Sequence, residues 1–373
     1  MDATPILDRL QPLPVRGKRN WRAMAIGAAV GILLVVVRPS FDTDYLLRNP
    51  LEIGLTVVGV YYLAILLHEL GHFAGGIWAG FAFRQFAVGP LVLIQETGGL
   101  RLRWVPARLL GGGHVMMAPE STDRLRPRYL QFMTGGPVVT ALLFVIPLAL
   151  PWSLFTRCLF GMNLLIAASS WVPYTINGRS TDAKVLLGLG RPGPQADRLA
   201  TILYLLAIDG GGTAPRDWPS ESLSALERDG GNSAHREIGL MFVYFRAMDD
   251  GDPARIAGAL ERVLALGHRM NPDSRRAFFA EAAFVQGIFR KDATLARAWL
   301  EDARKVKGTL PKDDWESAAL AGIACAEGEA ELACAELRRA IAMLDRQPGN
   351  SGSVAACRGR LAELLSEGGK RGR

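Results

Sequence analysis

The chain has 373 residues, 49% of them hydrophobic, and a formal net charge of +7. Its arginines gather beside long apolar runs, so the positive charge reads as membrane topology and argues against a nucleic-acid partner. Cys158, Cys325, Cys334 and Cys357 have neither Cys-x-x-Cys spacing nor the framework of a secreted disulfide protein, and read as reduced thiols.

Residues 1–52 hold an N-terminal tail and a first apolar segment, about Trp21 to Val37, near the lower length limit for a spanning helix. It follows basic residues and is not followed by a small-x-small cleavage pattern, so it is expected to be an uncleaved anchor. A second apolar segment runs from about Ile53 to Phe81, a third from about Pro137 to Phe155, and a fourth from about Leu159 to Tyr174, with helix-breaking Pro173 at its end. Basic residues crowd three flanks: Arg9 to Arg22, Arg84 to Arg128, and Arg179 with Lys184. By the positive-inside rule all three flanks are cytoplasmic, and an even number of spans leaves both termini inside.

The loop after the second segment is β-prone over Phe86–Ile94, has a turn signal at Thr97-Gly98-Gly99, and alternates apolar and basic residues over Leu100–Trp104. This predicts a hairpin at the membrane surface. Gly111-Gly112-Gly113 precedes another short strand, His114–Met117, whose edge could accept an extended peptide or simply be surface. Residues 192–220, with Gly210-Gly211-Gly212, read as a linker, and residues 221–373 as helices joined by short turns. Three segments of that half align: Asp252–Leu264, Asp292–Arg304 and Glu329–Ile341. Each has Leu eight places after the acid (Leu260, Leu300, Leu337) and small or aliphatic residues four and eleven places after it. Such recurrence resembles a degenerate tetratricopeptide solenoid, a fold that binds peptides or proteins; the alternative is an irregular helical bundle. The expected fold is an α-helical polytopic membrane protein of about four spans with a small membrane-associated β-hairpin region, followed by a soluble, cytoplasmic all-α helical-repeat domain.

The second apolar segment carries His68-Glu69-Leu70-Gly71-His72. On a helix this spacing puts both imidazoles on one face, where they can share a zinc ion, and leaves Glu69 to act on water. Three ionisable side chains at bilayer depth are costly unless gathered for a purpose. Catalytic zinc commonly has a third protein ligand. Asp182 is the only acid near the cytoplasmic end of the fourth segment, at the depth of the pentad; taken by itself it reads first as a helix N-cap or first-turn dipole partner before Ala183–Leu189.

The stretch Leu67-His68-Glu69-Leu70-Gly71-His72-Phe73 resembles the first signature of the site-2 protease family of intramembrane zinc metalloproteases. Gly80 and Val88-Gly89-Pro90 resemble that family's continuation into membrane-associated strands. Gly135-Gly136-Pro137-Val138-Val139-Thr140 resembles its Gly-Pro-x-x-Asn signature, and Pro173 through Asp182-Ala183 resembles its third, Asn-x-x-Pro followed by Asp-Gly. The resemblance covers roughly residues 53–191. It implies one Zn²⁺ per chain held by His68, His72 and Asp182, with Glu69 as general base. It also implies a reaction: peptide-bond hydrolysis in membrane-spanning or membrane-tethered proteins, within the lipid bilayer near its cytoplasmic face. Thr140 stands where the family has Asn, Ser170 where the third signature has Asn, and Ala183 for Gly. The oxyanion role given to that Asn would fall here to Ser170, Asn163 or Asn177. The competing expectation is a catalytically inactive membrane scaffold whose repeats bind partner proteins; an intact Glu69 argues against it.

Overall fold

The computed structural model describes residues 6–8, 48–96, 98–106, 109, 111–176, 179–228, 235–308, 313–346 and 351–371. The chain divides into two compact units, Lys18–Ala207 and Met1–Gly17 with Ile208–Arg373.

In the first unit, α1 (Pro50–Trp78) starts with Pro at its first turn, where a missing N–H leaves no helical bond unmade. It is apolar all round: Val60, Ala64 and Ile65 are buried while Leu51, Leu55, Val58 and Trp78 stay exposed. An outward face of that kind suits lipid better than water. Two more helices, α2 (Leu125–Val145, extended by the 3₁₀ turn Ile146–Ala149) and α3 (Leu154–Trp171), share this character. These three are long and apolar enough to cross a membrane. The expected first span, Trp21–Val37, lies outside the described residues.

The third apolar segment begins at Leu125 rather than near Pro137, which instead lies inside α2. Its arginines suggested a loop, but they serve as caps. Arg126 donates to the Leu189 and Gly190 carbonyls at 2.7 and 3.4 Å, and Arg128 to those of Ala79 and Gly80, both at 2.8 Å. They thereby satisfy the carbonyl ends of α4 (Asp182–Gly190) and α1. The fourth segment stops at Trp171, and Val172 is extended, as a residue before proline prefers.

Strands β1 (Phe81–Val88), β2 (Leu91–Glu96), β3 (Gly99–Trp104) and β4 (Gly113–Pro119) form an antiparallel sheet in the order β3-β2-β1-β4. The expected hairpin is therefore one part of a larger sheet, and Phe86–Ile94 is two strands rather than one. The break falls at Gly89, whose φ is +53° and where a Cβ would lie 2.3 Å from the Tyr62 ring. Only glycine meets both demands. Among the described residues β4 pairs with β1 alone, so its other side is an edge. The Tyr61 and Tyr62 hydroxyls of α1 donate to the carbonyls of Gly111 and Leu109, tying the run that enters β4 to the helix. Thr175–Ile176 (β5) and Arg179–Ser180 (β6) form a small ribbon leading into α4.

The stretch read as a linker contains a helix, α5 (Pro194–Gly210), and the boundary between the units falls within it. The second unit continues with α6 (Ser220–Glu227), α7 (Arg236–Asp250), α8 (Pro253–Leu264), α9 (Pro272–Val285), α10 (Ala293–Lys305), α11 (Asp313–Glu327), α12 (Ala330–Arg346) and α13 (Gly352–Arg371). The three aligned segments become α8, α10 and α12, and their repeated positions are buried throughout: Ile256, Leu260, Val263; Ala296, Leu300, Ala303; Ala333, Leu337, Ala340. Spacings of four and three residues place each trio on one helix face. Asp252 and Asp292 cap α8 and α10 by accepting from the amides of Ala254 and Leu295. The short turn Ile6–Asp8 belongs to this unit, with Leu7 in its core.

Candidate metal centre

His68, Glu69 and His72 sit on α1 at 7%, 7% and 5% exposure, so none of the three faces lipid or bulk water. The four-residue spacing stacks the two imidazoles one turn apart, their centroids separated by 4.9 Å. Asp182 reaches the same place from α4, whose start is fixed by the Thr181 side chain accepting from the Lys184 amide. The Asp182 Oδ2 atom lies 3.2 Å from His68 Nε2 and 3.4 Å from His72 Nε2. The ligand atoms of all three residues fall within 4.8 Å of one another, a grouping that can hold a metal ion.

The surrounding contacts set which ring nitrogens are available. His72 Nδ1 donates to the Phe132 carbonyl at 3.0 Å, which puts a proton on Nδ1 and leaves Nε2 as the nitrogen that faces Asp182. His68 Nδ1 lies 2.7 Å from Thr140 Oγ1, on the far side of that ring from Asp182. Ser170 donates to Asp182 Oδ2 at 2.6 Å. Burial alone would raise the Asp182 carboxyl, but its contacts with His68, His72 and Ser170 outweigh that and hold it well below the ordinary carboxylate range. The Asp182 oxygen and the two Nε2 atoms lie close enough to need a shared cation, and a metal ion in the place of a proton makes each nitrogen lone pair a ligand. The donor set fits a metal, and its ring nitrogens are braced as ligating imidazoles usually are.

Close backbone approach makes the arrangement possible. A Cβ on Gly135 would lie 2.0 Å from the Gly71 carbonyl oxygen, and one on Gly136 would lie 2.3 Å from His72 Nε2. The Gly135-Gly136 pair thus lets α2 meet α1 at the level of the histidines. On the opposite side, a Cβ on Gly113 would lie 2.4 Å from Glu69 Cγ, so β4 rests directly on the Glu69 side chain. His68, Glu69, His72, Ser170 and Asp182 share a cavity of about 570 Å³, which β4 also lines through Gly113–Val115.

The remaining sequence-predicted residues divide. Thr140 and Ser170 brace His68 and Asp182 respectively. Asn163 is buried on α3 but does not line the cavity; its Nδ2 donates to the Leu159 carbonyl of its own helix at 2.8 Å. Asn177 lies outside the described residues. His114 lines the cavity with its ring 3.0 Å from Gln85 Nε2. The Phe132 carbonyl and Gly113 were not anticipated. A backbone acceptor leaves no side-chain signal, whereas Gly111-Gly112-Gly113 is a signal from which close backbone approach can be read. No protein-family model, curated protein or solved structure matches the chain.

Proposed function

We propose that the chain is an intramembrane zinc endopeptidase of the site-2 protease type, hydrolysing peptide bonds of membrane-spanning or membrane-tethered proteins near the cytoplasmic face. One observation carries the reading: two buried imidazoles and the partly buried Asp182 carboxylate converge in a cavity that also holds a second acid, the buried Glu69. A purely structural metal site has no use for that extra carboxylate. A three-residue set of two imidazoles and one carboxylate suits a catalytic zinc. Zinc, when bound, lowers the pKa of a water toward neutrality and polarises a carbonyl. In this reading Glu69, which lines the same cavity, takes the proton of the attacking water and returns it to the leaving amine. Thr140, Ser170 and the Phe132 carbonyl hold His68, Asp182 and His72 in orientation. A membrane-spanning helix bonds its carbonyls internally and must open before attack. The edge of β4, beside the cavity, suits holding the opened segment as an added strand.

Four spans with both termini cytoplasmic complete the proposal. Leu7 packs in the unit that follows three apolar helices in sequence, so the tail and that unit share one side of the membrane. An even number of crossings must then separate them, which supports Trp21–Val37 as the additional one. The buried trios of α8, α10 and α12 support a tetratricopeptide-like array that modulates access. Metal analysis tests the core of the reading. Detergent-purified protein should carry one zinc per chain, and Asp182→Ala should lose most of it while keeping its helical content. Wild-type protein that takes up no zinc would overturn it.

A further inference from the structure

The second unit holds a peptide from far away in its own sequence. Leu7 is completely buried in the main apolar cluster, and Ile6 packs against that cluster. The amides of Ile6 and Leu7 both donate to the Glu261 carboxylate on α8, the latter at 2.8 Å. The Leu7 carbonyl accepts from Gln286 Nε2 at 2.7 Å and from Trp299 Nε1 on α10 at 2.8 Å. Gln286 opens a π-helical turn, Gln286–Arg290, that continues α9. Such turns are rare and recur at functional sites.

This is an unusual way to fill a core. Gln286 is fully buried and Trp299 nearly so, and buried polar groups are costly unless hydrogen-bonded. Burying the Leu7 main chain demands partners for its N–H and C=O groups, which a neighbouring helix turn or strand usually supplies from backbone. Here a carboxylate, an amide and an indole N–H from separate elements are all aimed at one stretch of main chain. They read two successive N–H groups and one carbonyl, while a single aliphatic side chain fills the apolar socket. Glu261 also borders a cavity of about 450 Å³, lined by Ala254, Ala257, Gly258, Phe289 and Arg290.

We infer that the helical unit is a receptor for short peptides anchored by one leucine, and that the chain's own N-terminal segment is its resident ligand, displaceable by such a peptide supplied in trans. The ligand needs a leucine-sized aliphatic residue and an N–H on both that residue and the one before it, which excludes proline at either position. Being part of the same chain gives the cis segment an advantage in effective concentration, so a free peptide competes weakly until the segment is released.

The test uses detergent-purified chain and a fluorescent peptide of residues 2–11, read by anisotropy. Two forms vacate the socket: a chain lacking residues 1–10, and a full-length chain with Leu7→Asp. Both should bind the peptide saturably and at least ten-fold more tightly than wild type, and a Leu7→Asp peptide should lose binding. Glu261→Ala in the shortened chain should weaken binding at least ten-fold. Folded forms, judged by helical content and melting, that fail to bind would overturn the inference, as would equal binding to wild type or equal binding of the Leu7→Asp peptide. If both vacated forms unfold, the segment is an integral part of the core and not a displaceable ligand, which also overturns it.

Discussion

Gly136→Ala isolates the packing that supports the metal centre. The added methyl carbon would lie 2.3 Å from His72 Nε2 and 2.5 Å from its Cδ2, where ordinary contact begins at 3.4 Å. The ring must therefore retreat by about 1 Å, twice the tolerance of about 0.5 Å within which a functional constellation is held. It has little room to do so, because Nδ1 is bonded to the Phe132 carbonyl and α1 is packed backbone to backbone on α2 at Gly71. Disturbing the support of a ligand typically costs 10- to 100-fold in metal affinity, about 1.4–2.8 kcal/mol. Competition with a chromogenic chelator reads that loss directly. Gly161→Ala on α3 is the control: its Cβ would have no neighbour within 4 Å, and replacing a helical glycine stabilises by up to about 1 kcal/mol. Wild-type zinc affinity in a folded Gly136→Ala protein would refute the packing argument.

Thr140→Val keeps side-chain volume but removes the hydroxyl beside His68 Nδ1, so zinc affinity should fall about 10- to 100-fold with the fold intact; chelator titration and thermal melting together check this. In the helical unit, burial raises the Glu281 carboxyl and outweighs the Tyr244 hydroxyl that donates to it at 2.7 Å. Its folded pKa thus exceeds the unfolded value of about 4.3, the folded state keeps a proton the unfolded chain has lost, and stability declines as pH rises through that window. Glu281→Gln should flatten the decline in melting curves recorded at rising pH from about 4.3 upward. Cysteines placed at Gly98 and Gly210 should resist a membrane-impermeant thiol reagent in intact cells while one at Asp44 reacts; the reverse pattern would invert the proposed topology.

The grouping that could hold a metal was partly legible: His68 and His72 are one helical turn apart, and Asp182 stood out because acids near the ends of the apolar segments are few. The faces of α8, α10 and α12 were legible for a similar reason, since their 4-8-11 spacing maps onto buried residues in every case. What escaped depends on partners distant in sequence. Arg126 and Arg128 looked like loop residues because their acceptors, the ends of α4 and α1, lie 63 and 49 residues away. Thr140 registered only as a departure from a motif, because its link to His68 spans 72 residues. The socket that holds Leu7 joins residues more than 250 positions apart, and no pattern in the N-terminal tail announces it.

Peptide-bond hydrolysis is the central claim, and Glu69→Gln tests it most directly because the change removes the proton acceptor and leaves His68, His72 and Asp182 in place. Membrane fractions of cells expressing wild type or the variant should differ: at least one membrane protein should persist with Glu69→Gln and appear with wild type only as a shortened cytoplasmic fragment, the rate falling about 10²- to 10⁴-fold. Identical membrane-protein profiles from zinc-loaded wild type and variant would contradict the account and leave a scaffold in its place.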